Sequence, residues 1–195
     1  MKVALIREGL ERGDTHMSTS TASHLQPATL PRGEASVPAF HRRWPGWTVT
    51  ALNVLAALNS SWFFLAILGT GVMGWLMMNS CAPSIALFAV GFVLRRPVVM
   101  VAGAVMMFRY GTLGLFFFGW DGPNLFAQVS HVLMTLAVLY VAGDVIRARR
   151  FRALGLGLAL GLAILVPYML AQRAYFAAHP GLLEQLFAGS FVAPS

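Results

Sequence analysis

Between residues 48 and 171 the chain is a series of long apolar runs parted by turns of only a few residues. A helix needs about 20 apolar residues to cross a hydrocarbon core about 30 Å thick, and three runs meet that length outright: residues 98–119, 125–146 and 154–171. A fourth run, residues 48–94, is long enough for two crossings. Composition agrees. Of 195 residues 57% are hydrophobic and only 11% charged, where a soluble domain carries about 25% charged residues. So little charge cannot cover a water-solvated surface, and the bilayer is the natural solvent. The expected fold is an all-α polytopic integral membrane bundle of five transmembrane helices.

The turns are readable because polar, Gly and Pro residues interrupt the runs. "WDGPN" (120–124) separates the first two unambiguous spans, and "RARRFR" (147–152) separates the second from the third. The long run 48–94 offers two folding points. "NSCAPS" (79–84) is the stronger turn signal but leaves a short second helix. "GTG" (69–71) divides the run more evenly and leaves Pro83 as a kink inside the membrane. Both alternatives stand at this stage.

Charge sets the expected orientation. The tail before the first span carries Lys2, Arg7, Arg12, Arg32, Arg42 and Arg43. The successive turns then carry nothing, Arg95 and Arg96, Asp121 alone, and finally Arg147, Arg149, Arg150 and Arg152. Basic turns alternate with bare or acidic ones, as the positive-inside rule requires. The N-terminus is therefore expected in the cytoplasm and the C-terminus outside, in a bacterial inner membrane. Trp44 and Trp47 fall at the inner boundary, and Phe116, Phe117, Phe118 and Trp120 at the outer one, as interfacial belts. The formal charge of +7 arises from these blocks and not from one basic face, so no nucleic-acid partner is implied.

Residues 1–46 are Ser/Thr/Pro-rich and mixed in charge, and read as a mostly disordered cytoplasmic tail. Within it Met17 is an alternative start. The bundle is assigned to 47–172. Residues 173–195 form a short external tail in which "HPGLLEQLFAGSF" can lie as an interfacial helix. In the last span Gly155 and Ala159 recur at four-residue spacing, and so do Gly157 and Gly161. Small residues at that interval let helix backbones approach closely.

The polar residues inside the spans are few. Arg109 lies about 15 Å below the outer boundary and His131 about 10 Å, counted at about 1.5 Å per residue. Gln128 and Tyr168 reach the same outer half, so Arg109, His131, Gln128 and Tyr168 form the candidate polar cluster for a ligand or a partner. A charge at that depth costs about 2.5–3.5 kcal/mol on insertion scales, although Arg can also snorkel toward the surface. Asp144, three residues before Arg147, is expected to pair with it across one helical turn. Asn53, Asn59, Ser60, Ser61 and Asn79 can line a hydrophilic seam or cross-link helices. The single cysteine, Cys81, excludes an internal disulfide and a Cys-cluster metal site within this chain. The chain implies no cofactor of its own, since a membrane haem held by paired histidines would need a second His in the spans.

Enzyme motifs with recognisable spacing are missing from the sequence, and the expectation leans toward a non-enzyme. The first functional reading is a non-catalytic integral membrane subunit or assembly factor of a larger bioenergetic or transport complex. Its partners would be the lipid bilayer and other membrane subunits, or further copies of itself. The alternative is a small transporter or channel for an anionic solute or lipid, using Arg109. The third is a membrane redox or pigment-binding protein using His131.

Overall fold

In a computed structural model the described residues are 44–117, 119–120 and 124–182. All but three residues of the expected N-terminal tail, and the C-terminal segment from 183 on, lie outside them. Among the described residues there is helix and no strand. The helices are α1 (Trp44–Trp62), α2 (Gly71–Met78), α3 (Cys81–Val93), α4 (Pro97–Met107), α5 (Asn124–Arg147) and α6 (Phe151–Ala178). Two of them continue in altered winding: α1 through a π-helical turn, Phe63–Ile67, and α4 through a π-helical turn, Phe108–Thr112, then a 3-10 turn, Leu113–Phe116. Four helical stretches are long and apolar enough to cross a membrane: Trp44–Ile67, Pro97–Phe116, Asn124–Arg147 and Phe151–Ala178. Counting the bent pair α2 and α3 as one span makes five.

Both folding points in the long first run are used. Gly69 and Gly71 take positive φ (61° and 67°) and end the α1 stretch in a tight turn. The chain then bends again, by 80°, between α2 and α3. That second bend lies at Asn79–Ser80, ahead of Pro83 and not at it. Pro83 occupies the first turn of α3, where a helix tolerates a residue without an N–H. α6 begins at Phe151 and continues to Ala178, so residues 173–178, expected in the external tail, are helical. α1 likewise already includes 44–46.

Contacts fix the relative directions. Trp47 meets Phe92 edge-on at 4.7 Å, while Asn79 bonds Ser60 and Trp75 bonds Ser61. Thus α1 and the bent pair run antiparallel over the same length. Gly91 lies against Met100 and Gly103 against Phe88, which makes α3 and α4 antiparallel. Gly157 faces Val98 and Val101, and Gly161 faces Ala102 and Val105; α4 and α6 are therefore parallel. Gly111 against Met134 and Gly114 against His131 set α5 antiparallel to α4. In consequence Arg95, Arg96, Arg147, Arg149, Arg150 and Arg152 gather at one end of the bundle with Trp44 and Trp47. Phe116, Phe117 and Trp120 gather at the other. Arg173 is the exception, near the aromatic end.

The two turns at the basic end are built alike. Arg96 N–H bonds Gly91 O at 2.9 Å and Arg150 N–H bonds Val145 O at 3.0 Å. Each closes a Schellman motif around a residue with positive φ. That residue is Arg95 in one turn (φ 55°) and Arg149 in the other (φ 53°), where Gly is usual and a side chain costs about 1–2 kcal/mol.

The dry core fills the basic half and the middle of the bundle: Ile85, Phe88, Phe92, Met100, Val101, Met107, Met134, Ala137, Val141 and Val145. In a bilayer such packing is driven by close van der Waals contact. The glycines make that contact possible. A Cβ on Gly91 would lie 2.4 Å from Met100 N, and one on Gly103 would lie 2.5 Å from Phe88 N.

Candidate functional site

The aromatic half of the bundle is built from irregular backbone and polar side chains. Its centre is the break between α2 and α3. A broken helix leaves its last carbonyls without intrahelical partners, and within a membrane no water replaces them. Here α6 supplies the donors. Tyr168 Oη donates to Leu76 O, and Gln172 Nε2 donates to Met77 O at 2.6 Å and to Ser80 Oγ at 2.5 Å. Tyr110 Oη donates to the other end of the same amide, Gln172 Oε1, at 2.6 Å. The Tyr110 and Tyr168 rings meet edge-on at 5.7 Å. From the other side α1 ties the break down, with Asn79 Nδ2 donating to Ser60 Oγ (3.1 Å) and Trp75 Nε1 to Ser61 Oγ (3.0 Å).

Arg109 sits in the π-helical turn of α4, about 18 Å from the start of that helix at the usual rise. Its guanidinium lies 5.5 Å from the centroid of the Tyr110 ring, within cation–π distance. It is half-buried, and among the described residues no carboxylate pairs with it. The extra residue of a π turn shifts the register of the residues after it. Gly111 and Gly114, three apart, then face α5. A Cβ on Gly111 would meet Met134 Sδ at 2.9 Å, and one on Gly114 would meet His131 Cε1 at 2.7 Å. Thr112 and Thr135 hydroxyls approach to 3.1 Å across the same contact.

His131 and Gln128 are buried on α5. His131 Nδ1 is 3.3 Å from Gln128 Oε1, and Gln128 Nε2 donates to Leu115 O at 3.3 Å. The opposite imidazole nitrogen, Nε2, lies 3.6 Å from Cys81 Sγ at the start of α3.

Of the four residues expected to cluster, the structure joins Gln128 to His131 directly. Tyr168 belongs to the neighbouring network at the break, connected to the first through the adjacent residues Ser80 and Cys81. Arg109 meets that second network, through Tyr110. Gln172 and Cys81 take central places that the sequence reading did not give them. Gln172 had one signal, an amide within an apolar run; Cys81 had none that pointed to His131.

The two small-residue sets on α6 differ. Gly157 and Gly161 are buried against α4, whereas Gly155 has nothing within 4 Å of its Cβ position and Ala159 is exposed. Asn53, wholly buried on α1, donates to Val49 O (2.9 Å) and Leu133 O (3.1 Å), and its Oδ1 has no partner. Among the described residues no group of three or more His, Cys, Asp or Glu side chains converges on a metal-sized site. No protein family, curated protein or solved structure matches the chain.

Proposed function

We propose that this chain is a small membrane transporter or channel that receives an anionic solute or lipid head group at Arg109, beside its broken span. The observation that carries the reading is the cation itself. It is fixed on a π-helical turn, half-buried, and without a carboxylate partner among the described residues. A charge held so can take as its counter-ion an anion from the bilayer or from solution. The neighbouring break supports the same reading, because discontinuous membrane helices recur where transporters hold solutes near mid-bilayer. The guanidinium fork suits phosphate or carboxylate oxygens.

In this reading five spans cross an inner membrane, the bent pair counting as one. The N-terminus is cytoplasmic and the C-terminus outside. The gathering of six arginines at one end supports that orientation through the positive-inside rule.

The test is reconstitution of the full chain in vesicles containing phosphatidylglycerol, measuring chloride and inorganic phosphate efflux and lipid retained through detergent exchange. Arg109→Ala is expected to lose efflux or bound anionic lipid at unchanged expression. Arg109→Lys keeps the charge without the fork and is expected to retain part of the effect. Identical behaviour of Arg109→Ala and wild type in both assays would sink the reading.

A second reading, a subunit of a larger membrane complex, is favoured by one observation: Gly155, Ala159 and Ala163 form a small-residue face turned away from the bundle. Gentle purification from the native membrane separates the two. Stoichiometric partner chains would favour the subunit.

A further inference from the structure

Cys81 is aligned with two α5 side chains, His131 and Gln128, in a way that anion binding does not require. Gln128 commits its Nε2 to Leu115 O, which turns its Oε1 toward His131 Nδ1. An amide oxygen only accepts, so Nδ1 carries the imidazole proton and Nε2 presents a lone pair. That lone pair lies 3.6 Å from Cys81 Sγ. Gly114 keeps the imidazole in place, since any Cβ there would strike the ring. Cys81 opens the 13-residue helix α3 and packs against the hydrophobic core. Residue Cys81 is partly buried, and His131 and Gln128 are buried. Nucleophile, base and orienting group in that order make up the general arrangement of an activated thiol.

We propose that Cys81 is a nucleophile for acyl transfer, with His131 as its general base and Gln128 as the positioning residue. The substrate class is a long-chain acyl ester or thioester, because the helices around the thiol are long and apolar enough to cross a membrane, where the acyl donors are lipids. In the step His131 Nε2 takes the thiol proton as Sγ bonds to the acyl carbonyl carbon. The bond from that carbon to the leaving oxygen or sulfur breaks, and the imidazolium returns the proton to the departing alcohol or thiol. The product is an S-acyl thioester on Cys81, with no change of oxidation state. A second alcohol, a thiol or water then accepts the acyl group. This proposal stands apart from the anion reading and uses neither Arg109 nor the bonds that Tyr168 and Gln172 make at the break.

The experiment uses the full chain in lipid nanodiscs with p-nitrophenyl palmitate, followed by nitrophenol release and intact mass. Wild type is expected to gain one hydroxylamine-labile palmitoyl group at Cys81, and Cys81→Ala none. His131→Ala should slow acylation about 100-fold, with the rate restored by added imidazole, a rescue that a packing role would not produce. Gln128→Glu, which keeps the acceptor, should retain more rate than Gln128→Leu. An adduct forming equally fast in His131→Ala would overturn the assignment. Should that variant fail to fold, wild type decides alone: a Cys81 that reacts no faster than octanethiol dissolved in the same nanodiscs leaves only an S–H···N contact.

Discussion

The two halves of the bundle solve the same problem by opposite means. In the basic half, helices meet backbone to backbone at Gly91, Gly103, Gly157 and Gly161, and six arginines gather in the turns at the very end. In the aromatic half the backbone departs from α-helix at two π turns, one 3-10 turn and one break, and side chains of α6 repair the break. Close packing tolerates no added atom; hydrogen-bonded repair tolerates change in volume but not in donors. The first half is a clamp, and the second is where a helix can be interrupted for use.

That contrast can be broken most sharply at the clamp. Gly103→Leu would drive a side chain into the backbone at Phe88 and is expected to cost about 3 kcal/mol or more, read as loss of monodisperse protein or as a lower midpoint in a denaturing-detergent titration. Gly91→Leu should match it. In the aromatic half, Gln172→Leu removes the donor to Met77 O and the partner of Tyr110 in one change. A cost of about 1–2 kcal/mol is expected, with hydrogen exchange rising first around residues 76–80. If exchange rises instead along α4 in the basic half, the two halves are not separate units. The smallest effect belongs to Gly155→Leu, whose side chain meets nothing in the bundle and should shift stability by no more than about 0.5 kcal/mol. Dissociation of a larger particle by that substitution would convert the outward small-residue face into a subunit contact.

The spans were legible because hydropathy is a property of contiguous residues, and the basic turns because charge blocks interrupt it. Which small residues on α6 face inward was not legible. Gly155 and Gly157 sit in interleaved series of equal spacing, and only the position of α4 distinguishes them. The long first run looked like a choice between residues 69–71 and 79–84. The chain uses both, and α6 supplies donors to carbonyls of the eight-residue helix between them. Counting residues, a one-dimensional measure of depth, assigns Arg109, His131, Gln128 and Tyr168 to one half of the bundle. Counting carries no azimuth, so it could not show that Arg109 turns toward Tyr110 while His131 turns toward Cys81. Gly111 and Gly114 held a usable clue: two glycines three apart, opposite a Met and a His three apart on the next helix.

Repair of the break from α6 also has a consequence in time. Leu76 and Tyr168 are 92 positions apart, so during synthesis α2 enters the membrane long before the groups that satisfy its carbonyls exist. Until the last helix leaves the ribosome and inserts, the early part of the protein holds exposed carbonyls in a medium that cannot solvate them. Arrival of α6 is thus registered at the break between α2 and α3. A translation product that ends before Gln172 carries an unrepaired break, a defect open to the proteases that survey newly made membrane proteins.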